Sequence, residues 1–110
     1  MPSPPSGLPQ GTLDLLILRT LARGPRHGYG IARYLEDTTE GAVVVEEGSL
    51  YPALYRLERR RLLEAEWKPS ETGRRAKFYR LTREGRAELL RETKAWAEFS
   101  AAVSRVLLPA

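Results

Sequence analysis

Cysteine is absent from the 110 residues, which rules out disulfides, thiolate metal centres and cysteine nucleophiles and leaves the chain at ease in a reducing compartment. Histidine is nearly absent too, since His27 is the only one. A lone imidazole without a second histidine or a thiol supplies neither a metal ligand set nor a triad, so His27 reads as a turn residue. No nucleophile–base pair and no phosphate-cradling glycine loop appears either, so no catalytic residue, metal ligand or cofactor is expected and an enzyme is the weakest class. Long apolar runs are also missing: none approaches the roughly 18 residues that span a bilayer. Met1–Gln10 has neither the basic nor the apolar region of a signal peptide, so the expectation is a soluble cytoplasmic protein with no membrane partner.

What is present is unevenly distributed charge. The net charge is +4, yet residues 1–55 hold four basic and six acidic side chains, residues 56–86 eleven and five, and residues 87–110 three of each. The positive field belongs to one segment, and a field of that sign suits an anionic partner.

That segment begins inside the most informative stretch of the chain, Glu47–Arg60. At about 100° per residue, Leu50, Ala53, Leu54 and Leu57 gather on one side of a helix and Tyr51, Pro52, Tyr55, Arg56 and Arg59 on the other. Ser49 is expected to cap it, with Pro52 in the first turn, where a missing N–H costs nothing. Tyrosines and arginines on an outward face suggest a partner that is anionic, stacks and accepts hydrogen bonds, as nucleic acid does.

The remainder organises around this helix as a single domain. Residues 1–10, rich in proline and small side chains, are expected to form a flexible arm. Thr12 is expected to cap a first helix with Leu13, Leu16, Ile17, Thr20 and Leu21 on one stripe and Leu15 and Leu18 off it, a helix either central or shared with a second subunit. Gly24-Pro25 ends it, the Pro25–Gly28 stretch turns tightly, and a second helix runs to about Asp37 with Ile31 and Leu35 inward. Val43–Val45 suggests a short strand. Beyond Leu62 the period changes to two: Leu63, Ala65 and Trp67 alternate with charged residues, a Gly-containing turn follows, and Lys77, Tyr79 and Leu81 continue, giving a β-hairpin. Thr82 caps a last helix from about Arg83 to Leu107, in which Leu89, Trp96 and Val103 recur seven apart with Phe99 and Val106 offset, a partial heptad seam interrupted at Glu92. The predicted fold is mainly α with a small β wing: a winged helix-turn-helix over residues 11–81 and a C-terminal dimerisation helix over 82–110.

Three motifs sharpen this. Pro25-x-His27-Gly28-Tyr29-Gly30-Ile31, Gly48-Ser49-Leu50-Tyr51-Pro52-Ala53-Leu54 and Gly73-Arg74-Arg75-Ala76-Lys77-Phe78-Tyr79-Arg80-Leu81-Thr82-x-x-Gly85 resemble, in order, the second-helix, recognition-helix and wing signatures of the PadR family of transcriptional regulators. Leu8–Asp14 and Trp67–Gly73 further resemble a short acidobacterial subgroup whose last helix is brief. Where relatives commonly place glycine past the recognition helix this chain has Arg61, so either the helix runs on or an arginine takes a left-handed cap. The resemblance implies a homodimeric repressor on an inverted-repeat operator, nucleoid-associated when bound. It also implies a phosphate contact for Tyr29 and, in one branch of the family, a flat aromatic effector stacked between subunits.

The expected DNA contacts are therefore Tyr29, Ser49, Tyr51, Pro52, Tyr55, Arg56 and Arg59, with Arg74, Arg75 and Lys77 from the wing. Hydroxyls serve phosphates, Pro52 and Tyr55 can meet a thymine methyl, and the arginines read bases or backbone. A packing role between helix and wing stays open for Tyr51 and Tyr55. The expected dimer interface is Leu15, Leu18, Leu89, Trp96, Phe99, Val103 and Val106, with Trp96 and Phe99 also the candidates for an aromatic effector. A winged-helix module that binds protein and not DNA is the alternative function.

Overall fold

The computed structural model describes residues 10–109; of the arm expected over residues 1–10, residues 1–9 lie outside them and Gln10 instead opens α1. Four helices and three short strands follow in the order α1 (Gln10–Ala22), β1 (Arg26–His27), α2 (Gly28–Thr38), α3 (Glu47–Arg59), β2 (Leu63–Pro69), β3 (Arg75–Leu81) and α4 (Arg83–Leu107). This is the winged helix-turn-helix predicted from the pattern, with the strands in one antiparallel sheet ordered β1-β3-β2.

The core is aliphatic. Leu13, Ile17, Leu18 and Leu21 of α1, Ile31 and Leu35 of α2, and Leu50, Ala53, Leu54 and Leu57 of α3 bury together against Leu63, Tyr79, Leu81 and Leu89. Removing one of the larger of these side chains would cost about 2–5 kcal/mol through lost transfer energy and the cavity left behind. Thr20, fully buried on α1, escapes the penalty for an unpaired hydroxyl because its Oγ1 donates to the Leu16 carbonyl at 2.8 Å.

Four local expectations are corrected. Thr12 does not cap α1, which already begins at Gln10. Val43–Val45 forms no strand. The segment is extended, with Val43 and Val45 packed on the core and Val44 outward, but a strand needs a partner edge and Arg26–His27 takes it, pairing with Tyr79 and Phe78. His27 is accordingly more than a turn residue: it is the N-cap of α2, its Nδ1 accepting from the Gly30 N–H at 3.0 Å. Ser49 is not the cap of α3 either, because Glu46 holds that position and Ser49 lies three residues inside, its own N–H bonded to the Glu46 carbonyl. Pro52 consequently sits in the second turn and deprives the Gly48 carbonyl of its helical donor.

The end of α3 resolves the question posed by Arg61. The helix stops at Arg59, and Arg61 adopts φ +62°. Its N–H bonds the Glu58 carbonyl and the Leu62 N–H reaches back to Leu57, the paired bonds of a Schellman cap with arginine in the place glycine favours. Leu62 is thereby driven into the core, and its carbonyl accepts from the Thr82 N–H at 3.1 Å. Gly85 is required beside it, since a Cβ there would lie 2.1 Å from the Leu62 oxygen.

The hairpin registers Leu63 with Leu81, Ala65 with Tyr79 and Trp67 with Lys77. One face is thus a stripe that begins in the core and runs outward to the tip, where Gly73, at φ +85°, turns the chain. Thr82 caps α4 as expected, its Oγ1 accepting from the Gly85 N–H at 2.9 Å.

Candidate nucleic-acid interface

Once the four apolar residues of α3 are buried, its other face is left to solvent. Tyr51 is 44% and Tyr55 60% exposed, with Pro52 and Arg59 beside them and Ser49 half-buried at the helix start. Tyr51 is held by its neighbour as well as by its own helix, because its ring lies over Gly28, where a Cβ would come within 2.6 Å of the hydroxyl. Gly28 therefore lets α3 approach the first turn of α2.

Two Tyr–Arg pairs face outward, Arg33 also lying 3.9 Å from Asp37. Arg59 donates to the Tyr55 hydroxyl at 3.1 Å and lies over its ring at 5.6 Å; on α2, Arg33 donates to the Tyr29 hydroxyl at 3.0 Å and lies over its ring at 5.9 Å. Spacing of four residues sets both. Each pair presents a guanidinium already oriented along an aromatic, which limits the side-chain entropy lost on meeting an anion.

At the wing, Arg74 and Arg75 are exposed at the tip, and neither has a carboxylate within ion-pair distance among the described residues. Lys77 is placed differently from expectation. It is half-buried on the inner face, its ammonium donating to Glu58 Oε1 at 3.1 Å, and this hydrogen bond raises its pKa above the usual lysine value. It braces the wing on α3 and is not offered to solvent as a free cation. Behind it, burial raises the Tyr79 phenol.

Arg56 is the second correction. Periodicity set it on the outer face, yet its guanidinium turns back to Asp14 of α1 at 3.0 Å. Burial raises the Asp14 carboxyl from its ordinary value and Arg56 draws it partly back. Arg60 likewise turns to Glu88 of α4 at 3.3 Å. Both arginines tie elements together.

Among the residues expected at a dimer seam, Leu18 and Leu89 are each 2% exposed within this single chain and belong to its own core. Leu15 is half-buried beside α4, and Val103 is half-buried. Trp96, Phe99 and Val106 stand out at 55%, 69% and 78% exposure, joined by Leu90, Leu107 and Leu108.

Three notable side chains were given no site role from the sequence. Arg33 had a signal, the same Tyr-x-x-x-Arg spacing as Tyr55 and Arg59. His27 also had one, standing immediately before a run of helical spacing. Trp67 had none: alternation grouped it with Leu63 and Ala65, but that stripe leaves the core before reaching it, and the indole is 58% exposed.

Among the described residues no cluster of three potential metal ligands occurs, and no helix is long and apolar enough to cross a membrane. A helix-turn-helix with an aromatic and cationic outer face, flanked by an arginine-tipped wing, defines the class of winged-helix nucleic-acid-binding proteins. Residues 17–91 match the model of the transcriptional regulator PadR-like family. Smu.1704 from Streptococcus mutans UA159 superposes with a TM-score of 0.82 at 27% identity, over 99% of this chain and 95% of that one. A PadR family transcriptional regulator from Eggerthella lenta DSM 2243 gives 0.77 at 33% identity, over 92% and 86%. An uncharacterised protein X of Lysinibacillus sphaericus is 34% identical over 93 residues, 84% of this chain and 85% of its own length. The chain belongs to the PadR-like family of transcriptional regulators, DNA-binding proteins and not enzymes.

Proposed function

We propose that the protein is a homodimeric repressor that binds an inverted-repeat operator in the cytoplasm and blocks a promoter by occupying it. The observation that carries this is the outward face of α3, which leaves Tyr51, Pro52, Tyr55 and Arg59 exposed and Ser49 half-buried, with Tyr51 sharing a groove with Tyr29 of α2 and Arg74 and Arg75 of the wing. In this reading α3 enters the major groove. Pro52 and Tyr55 meet base edges, Arg59 reads a base or an adjacent phosphate, and Tyr29, Ser49 and Tyr51 donate hydroxyl hydrogen bonds to phosphates. Arg56 and Lys77 act behind the surface, holding α3 to α1 and to the wing.

Residues 11–81 are the reading unit and residues 82–110 the dimerisation element. The apolar side chains exposed on α4, Trp96, Phe99 and Val106, together with Leu15 and Val103, are covered by a second copy. A two-fold pair sets its recognition helices about 34 Å apart, one turn of duplex. Trp96 and Phe99 are exposed aromatics near one another on this helix, and a flat aromatic effector that entered the seam would compete with the dimer contact there.

The test is selection of duplex sites from a random pool, with protein mass measured in the same buffer. The expected result is a two-fold symmetric site and a mass of twice the chain. Failure to bind any duplex at low salt would overturn the reading and favour a protein-binding winged helix.

A further inference from the structure

We propose that Trp67 is a DNA-contacting residue, its indole lying flat on a deoxyribose of the strand that passes between the wing and the recognition helix. The proposal rests on the DNA-binding reading above and adds a residue and a chemistry to it. The inner stripe of the hairpin runs Leu63, Ala65, Trp67, and its burial falls from complete through half to largely exposed. Trp67 is thus a large apolar side chain placed beyond the protein's own core, in register with Lys77.

What covers it is constrained by its surroundings. Trp67 lines a groove of about 560 Å³ shared with Tyr29, Tyr51, Arg74, Arg75 and Lys77. The one carboxylate among the lining residues, Glu71, lies 3.8 Å from the His27 Nε2. Lys77 is engaged by Glu58, whereas Arg75 runs along the strand and donates to the Trp67 carbonyl at 3.4 Å. A guanidinium without a carboxylate partner among the described residues and an exposed indole therefore line the same groove, as the phosphate and the sugar of one nucleotide would require. An apolar protein segment would satisfy the indole and leave the arginines unpaired. A DNA strand satisfies both, and the groove is continuous with the surface of α3 through Tyr51.

A neutral ring releases no counterion, and a sugar contact carries no base information. The contact therefore adds affinity for every sequence alike, without adding to the salt dependence. Three proteins test this in one fluorescence titration with duplex DNA: wild type, Trp67→Phe and Trp67→Ala, each with its melting temperature recorded. Wild-type emission is expected to quench on binding. Trp67→Phe, in which Trp96 is the remaining indole, should bind nearly as wild type with the quench lost. Trp67→Ala should bind selected and random duplexes about tenfold more weakly, with the wild-type salt slope and an unchanged melting temperature. A quench that persists in Trp67→Phe, or wild-type affinity in Trp67→Ala, overturns the assignment while leaving the DNA-binding reading intact. No binding by wild type at low salt overturns both.

Discussion

Arg61 and Asp14 each carry a local cost that a substitution can measure. Arg61 holds a left-handed backbone, φ +62°, which places its Cβ against the following carbonyl. Nothing replaces that cap, because the Leu62 N–H must reach Leu57 for Leu62 to enter the core. Arg61→Gly should therefore stabilise the protein by about 1 kcal/mol, read as a melting temperature higher by a few degrees. A lower melting temperature would mean that the arginine side chain contributes more than its backbone costs. Asp14 gives a pH dependence. Its pKa is raised above 3.8 by burial, so as pH rises the unfolded chain loses this proton before the native one does. Stability from this group is complete at or below that value and is lost as pH rises through the folded pKa. Relative to Asp14→Asn, wild type should lose melting temperature as pH is raised through the window just above 3.8; a relative gain there would reverse the assignment. The two residues differ in how readily sequence reveals them. Arg61 is visible because an arginine stands where a cap favours glycine. The partnership of Asp14 and Arg56 is not, since helical spacing gives a direction around α3 but says nothing of a carboxylate 42 positions away.

The division of labour between recognition helix and wing is a prediction at the level of elements. Arg74 precedes β3 and Arg75 opens it, both exposed and free of carboxylate partners among the described residues, so the proposed reading makes them phosphate contacts without base geometry. Replacing both with alanine should weaken binding to selected and random duplexes by similar factors. It should also reduce the slope of log K against log salt by about 0.9 for each phosphate that is no longer neutralised. Tyr55→Ala, on the rigid outer face of α3, should instead change which sites are selected from a pool. If both proteins lose affinity equally on every sequence, the division between reading and anchoring fails. The elements themselves were largely legible: the leucine spacing of α3, the change to a period of two after Leu62 and the Thr82 cap each reflect local rules that the fold obeys. Val43–Val45 and Arg26–His27 mark where local rules stop. Three β-branched residues favour an extended backbone, but becoming a strand depends on a free edge of β3, and that edge is claimed by a two-residue segment with no strand signal of its own. Ser49 failed for a related reason, since Glu46 and Glu47 extend the helix backward past the better capping side chain.

The shape of the whole molecule argues for a second copy. Its radius of gyration is 15.1 Å and its longest extent 53 Å, against about 13 Å for the radius of a compact domain of this size. A large part of that length is α4, which has 25 residues at about 1.5 Å per residue. Only Gly85 and Leu89, both in its first two turns, are buried. The rest carries Leu90, Trp96, Phe99, Val106 and Leu107 more than half exposed. An isolated amphipathic helix end gains little from its own hydrogen bonds and needs its apolar side covered. The proposed dimerisation through α4 and α1 would supply that cover and set the spacing of the two recognition helices at once. The two consequences separate experimentally. Trp96→Glu with Phe99→Glu places charge in the seam while leaving the core of residues 11–81 untouched. The doubly substituted protein should sediment as a monomer and melt independently of protein concentration, whereas wild type should melt higher as concentration rises. Its affinity for a complete inverted repeat should fall to that for a single half-site, because the second recognition helix no longer arrives with the first. A substituted protein that stays dimeric and binds the full repeat normally would move the interface away from this helix.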